Sequence, residues 1–196
     1  MKKIYYPTLL FLVTLSLTAC LGNGEKSKDS KEMDPSEFKT ETVAGLYEMQ
    51  IPEYMKSTKD LNTDASLQFQ NIYKETYIAV IDEPKQDFID TFTEMNEYDE
   101  SKSPAENYQI TQMNYFTEGL TIKSQGRAQK MTINGLEAYQ QEMVGKVPGI
   151  DFDIFYLMTF IEGKETLYMM MEWTLSSNED KYKSTFEYMA NSFKEL

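Results

Sequence analysis

Between Phe152 and Leu175 the chain reads FDIFYLMTFIEGKETLYMMMEWTL, two apolar runs joined by the polar turn Glu162-Gly163-Lys164-Glu165. Successive side chains of a strand point to opposite faces. In the first run, alternation sends Phe152, Ile154, Tyr156, Met158 and Phe160 one way and Phe155, Leu157 and Ile161 the other. In the second, Leu167, Met169, Met171, Trp173 and Leu175 oppose Tyr168, Met170, Glu172 and Thr174. A strand apolar on both faces needs cover on both. The stretch therefore predicts a β-hairpin at the centre of a sheet, with further layers above and below it.

The composition limits the chemistry. The 196 residues include no histidine and one cysteine, Cys20. Without histidine there is no Ser-His or Cys-His nucleophile and no imidazole metal ligand. One cysteine forms no disulfide within the chain. The core must then come from side-chain volume, and 11 Phe, 14 Tyr and 13 Met supply it. A formal charge of −13 disfavours binding to nucleic acid, whose phosphates require cations.

The N-terminus predicts a compartment. Met1-Lys2-Lys3 precedes an apolar run from Ile4 to Leu17 that is interrupted by Pro7 and short for a membrane span. Leu17-Thr18-Ala19-Cys20 has the pattern of a bacterial lipobox, in which the cysteine is acylated and becomes the mature N-terminus. We expect a lipoprotein signal peptide over 1–19, acyl chains such as palmitate on Cys20, and a polar tether over 20–43. A single domain then occupies 44–196, held outside the cytoplasm against a membrane of the cell envelope by its lipid.

Leu46 to Ile51 alternates and stops at Pro52, which predicts an opening strand. Tyr54 to Leu61 reads as a turn or short helix, and Leu67–Gln70 with Thr76–Ile81 as a hairpin. From Pro84, the spacing of Phe88, Phe92 and Met95 predicts a helix. Ser103-Pro104-Ala105-Glu106 is a capping box opening a second helix that ends at Gly119. Lys123–Ile133 and Leu136–Val147 flank Asn134-Gly135, a dipeptide suited to a type I′ hairpin turn. A second capping box, Ser176 to Glu179, opens a closing helix with Tyr182, Phe186, Met189 and Phe193 on one face. Strands and helices do not alternate along the chain. The expected class is therefore α+β, a mainly antiparallel sheet of about six to seven strands sandwiched between helices.

In this order the segment from about Ala44 to Leu196 resembles the PsbP-like fold family, which includes PsbP/DcrB-type envelope lipoproteins. Tyr47-Glu48-Met49-Gln50-Ile51-Pro52 looks like the family's first strand and proline, Ile133-Asn134-Gly135 like its mid-domain turn, and Tyr182 to Phe193 like its last helix. The resemblance implies a binding or assembly module with no shared catalytic constellation. The histidine-containing sites of the family's photosystem subunits have no counterpart here.

Asp82 and Glu83 with Asp87, and Asp151 with Asp153, offer hard oxygen ligands for calcium or magnesium, and paired carboxylates of the kind glycoside hydrolysis uses. Neither group has a recognised ligand spacing, and solvated acidic faces explain both in so acidic a chain. Met169, Met170 and Met171 alternate across a strand, which suits core filling better than a copper site. Tyr139, Tyr156, Tyr168 and Trp173 on the hairpins are the candidate recognition surface. The expectation is an anchored, non-catalytic module that binds or helps assemble another macromolecule, with no cofactor, no catalytic residue and a protein partner. The alternative is a sensor or carrier holding a small apolar ligand between sheet and helix.

Overall fold

The computed structural model describes residues 34–196. The expected signal peptide, Cys20 and the chain up to residue 33 lie outside them. The elements run β1 (Phe38–Val43), β2 (Tyr47–Pro52), β3 (Lys56–Ser57), β4 (Ala65–Asn71), β5 (Thr76–Pro84), α1 (Lys85–Glu94) and α2 (Pro104–Glu118). They continue with β6 (Thr121–Gln125), β7 (Gln129–Ile133), β8 (Leu136–Lys146), β9 (Asp153–Glu162), β10 (Thr166–Leu175), α3 (Glu179–Asn191) and β11 (Lys194–Glu195).

An eight-stranded sheet has the order β3-β4-β5-β10-β9-β8-β6, with β7 also paired to β8, and a three-stranded sheet has the order β1-β2-β11. Every pairing among the described residues is antiparallel. The α+β class is as expected. The main sheet has more strands than predicted although the opening strand β2 lies in the other sheet: Lys123–Ile133, read as one strand, is split into β6 and β7, which pair with opposite ends of β8, and the stretch after Tyr54, read as a turn or short helix, contains the short strand β3.

The β9–β10 hairpin occupies the centre, and its alternation sorts the core into two layers. On one face Ile154, Tyr156, Met158, Phe160, Leu167 and Met169 pack against Phe88 of α1 and Tyr108 and Met113 of α2. On the other, Phe155, Leu157, Ile161, Tyr168 and Met170 pack against Tyr182, Phe186 and Met189 of α3, with Phe193. The second layer is shared with β2, whose Tyr47, Met49 and Ile51 are buried there. Burying each such side chain contributes roughly 1.5–3 kcal/mol, so cover on both faces is what makes the two-sided hairpin stable. Phe152 departs from the expected pattern: it lies before the first pair of β9 and is 62% exposed.

The small sheet corrects the expected tether. Residues 38–43 are a strand, so the folded region begins upstream of 44. Phe38-Lys-Thr-Glu-Thr-Val is held by backbone pairing with β2 and by Phe38 against Tyr188, ring centroids 4.5 Å apart. An edge strand of this kind needs few apolar residues, which is why its composition reads as linker.

The two helix starts diverge. Ser103 Oγ accepts from the amide of Glu106 at 3.2 Å, as the capping box requires. Ser176–Asn178 is instead a turn of 3₁₀ helix, and α3 begins after Asn178 without a side-chain cap. Asn134 and Gly135 have φ of 48° and 88°, the left-handed pair of a type I′ turn. The Asn134 amide also donates to the carbonyl of Phe193 at 2.7 Å, tying this turn to the end of α3.

Candidate functional site

The register fixes what lies at each end of the sheet. At one end is the β9–β10 turn. At the other, here called the open end, Asn71 pairs with Thr76, Trp173 with Tyr77, Leu175 with Ile154, and Lys146 with Asp153. The β4–β5 turn and the 147–152 loop therefore project together at the open end.

Three of the four aromatic residues expected to form a recognition surface are buried beneath helices or in the core. Tyr156 lies under Phe116, ring centroids 5.0 Å apart, and burial pushes its phenol up to about 12. Tyr168 is 1% exposed, between Tyr47 and Phe193. Tyr139 lies against α2, where its hydroxyl donates to Glu106 at 3.1 Å. Alternation put these rings on the right faces, but the helices that cover those faces make them packing residues. Trp173 alone reaches the rim.

The carboxylates do not converge. Asp82 pairs with Tyr168 toward the β9–β10 turn, whereas Asp151 and Asp153 lie at the open end. Glu83 accepts from Tyr108 Oη at 2.9 Å and from Gln112 Nε2 at 3.0 Å, which fixes α2 to β5. Among the described residues no three of His, Cys, Asp and Glu group as metal ligands would. Between sheet and helix, where a small apolar ligand is the alternative expectation, Met158, Phe160 and Leu167 are fully buried against α1 and α2.

Among the described residues, two open surfaces bear on function. The first is apolar and belongs to the open end. Ile150, Phe152, Ile154, Tyr77, Trp173 and Leu175 line a groove of about 310 Å³. Ile72 and Tyr73 stand beside it on the β4–β5 turn, 57% and 93% exposed. Sequence reading missed this cluster because its members come from three separate segments.

The second is polar. A groove of about 500 Å³ runs between β1 and β4, lined by Lys39, Glu41, Thr42, Lys59, Ser66 and Phe69 among others. Among the described residues the outer edge of β1 has no neighbouring strand, and β3 pairs with β4 only at Phe69 and Gln70. Lys39 bonds Glu41 at 2.6 Å and lies over the Phe69 ring at 5.0 Å, placing charge along an otherwise open edge.

A buried carboxyl lies under α3. Glu172 has no solvent exposure, and neither of its oxygens has a hydrogen-bond partner; Thr174 Oγ1, Thr76 Oγ1, Tyr54 Oη and Tyr182 Oη are also unpaired. Burial, and then the charge of Glu187, hold its carboxyl well above the usual carboxylate range. It lines neither groove. Its acidity is a matter of packing.

No protein-family model matches the chain, and no curated protein matches it by sequence. Among solved structures, the chain is similar to cyanobacterial PsbP (CyanoP) from Synechocystis sp. PCC 6803, with a TM-score of 0.55, 17% identity, and 92% of this chain and 99% of that one covered. It is also similar to LpqN, involved in cell envelope biogenesis of Mycobacterium tuberculosis, with a TM-score of 0.53, 9% identity, and 76% and 83% covered. The fold is PsbP-like.

Proposed function

We propose that the chain is a lipid-anchored protein of the bacterial cell envelope whose domain binds an extended segment of a protein partner, without catalysis. The observation that carries this reading is the polar groove between two under-paired strand edges. Free edge N–H and C=O groups are what an added strand uses for affinity, and flanking side-chain pockets supply selectivity. Three further features support it: the lipobox ending at Cys20, the absence of histidine, and carboxylates that are dispersed or committed to packing. LpqN, which shares the fold, is involved in envelope biogenesis, a comparable setting.

Photo-crosslinking side chains at the exposed Thr42 and Lys59, on opposite sides of the groove, test the reading in intact cells. One envelope protein captured from both positions, and lost from the Thr42 position when Lys59→Glu is added, is the expected result. Failure to capture a protein from either position, with a defined small molecule found in the purified domain by native mass spectrometry, would favour a carrier.

A further inference from the structure

The apolar open end and the point where the chain enters the domain lie on the same side of the molecule. Phe38 pairs with Pro52, and the amide of Glu53 donates to the carbonyl of Glu37 at 2.8 Å. Tyr54 follows, and its carbonyl accepts from Asn71 Nδ2 at 2.7 Å while Lys74 Nζ lies 3.9 Å from the centre of its ring. Asn71 ends β4 and Lys74 belongs to the β4–β5 turn, which carries Ile72 and Tyr73 and adjoins the Tyr77–Trp173 groove. Residues 34–37 thus enter the fold beside the most exposed aromatic residue of the described chain.

We propose that the open end is a membrane-docking surface, with Tyr73, Ile150, Phe152 and the Tyr77–Trp173 pair seated in the headgroup region of the bilayer. This rests on the reading of Cys20 as lipid-bearing. Thirteen residues, Leu21 to Met33, separate Cys20 from Asp34. Thirteen residues reach at most about 45 Å, so reaching round to the far end of the domain would take nearly their whole length. A domain of this size is roughly 30–40 Å across. The anchor therefore favours presentation of the end at which the chain enters.

The chemistry of that end suits an interface. Tyr and Trp combine an apolar ring with a polar handle and concentrate at the boundary between water and acyl chains. Ile150 and Phe152 share one loop and Ile72 and Tyr73 another, so apolar groups can enter from two projections without unfolding a strand. Exposed apolar clusters of this kind mark interaction surfaces. The charge selects the lipid. At the open end Glu75, Asp151 and Asp153 outnumber Lys74 and Lys146, and the chain as a whole is at −13. Attraction to an anionic bilayer cannot drive docking, so the surface fits a zwitterionic one.

Trp173 is the only tryptophan and reports directly on this surface. The lipidated full chain is reconstituted into phosphatidylcholine vesicles with or without phosphatidylcholine brominated near the headgroup, and association is checked by flotation. The expected result is flotation, with Trp173 emission quenched by the brominated lipid. Tyr73→Ser with Phe152→Ser should relieve the quenching while the chain still floats. Flotation without quenching would overturn the docking surface and leave the anchor intact. A blue shift without quenching would overturn it in favour of a second copy of the chain covering the same end. A lipid-bearing chain that does not float would remove the anchor and the orientation together.

Discussion

Trp173 lies nearly parallel to Tyr77, with ring centroids 5.3 Å apart and planes 11° from parallel, at facing positions of β10 and β5. Such a pair contributes about 0.5–1.5 kcal/mol beyond the area it buries. Here it also closes one wall of the apolar groove. Tyr77→Ala should lower stability by about 1–2 kcal/mol, counting the lost ring contact. Urea unfolding followed by Trp173 emission measures this. An unchanged midpoint would mean that the rings are adjacent without stabilising each other.

The hairpin containing Trp173 was legible in the sequence because two-residue alternation of large apolar groups has one structural solution, a strand covered on both sides. The helical covers and the Asn134-Gly135 turn were legible for similar local reasons. Strand β1 was not, because edge pairing to β2 needs little apolar content. The candidate site was legible only in Trp173. Tyr139, Tyr156 and Tyr168 satisfy the same alternation, and which of these rings a helix covers depends on contacts far apart in sequence. Ile72, Tyr73, Ile150 and Phe152 carry no local signal of their meeting at one end, since only the strand register brings their loops together.

Glu172 makes stability fall with rising pH. Its carboxyl titrates higher in the folded chain than in the unfolded one, so the folded state holds the extra proton. Its contribution is fully present below the ordinary glutamate value of about 4.3 and declines as pH rises toward the raised value. Glu187 on α3 reinforces the shift, and the Tyr54 phenol is itself pushed up to about 12 by burial. Glu172→Gln should therefore raise the urea midpoint at neutral and mildly alkaline pH and leave it nearly unchanged near pH 4. Parallel pH profiles for the two proteins would show that Glu172 is not the source of the slope.

Gly163, in the β9–β10 turn, faces Glu195 of β11. A Cβ at 163 would lie 2.8 Å from Glu195 Cδ and 2.9 Å from Tyr168 Cε2. Glu195 cannot move without cost, because its carboxylate accepts from the Lys164 amide at 3.0 Å and from Tyr168 Oη at 3.3 Å. Gly163→Ala should lose about 1–3 kcal/mol, as overpacking does. In a Glu195→Ala background the same change should cost less, and a thermal-unfolding double-mutant cycle reads that difference. Strict additivity would place the strain at Tyr168 alone.

Both the proposed function and the proposed orientation depend on the state of Cys20, so mass spectrometry of the N-terminal peptide recovered from membranes is the most direct test. The account predicts a peptide beginning at Cys20, with a diacylglyceryl thioether on its sulfur, and release of the chain from membranes when Cys20→Ala is introduced. A mature chain that begins elsewhere, or carries an unmodified Cys20 thiol while remaining membrane-bound, would contradict it.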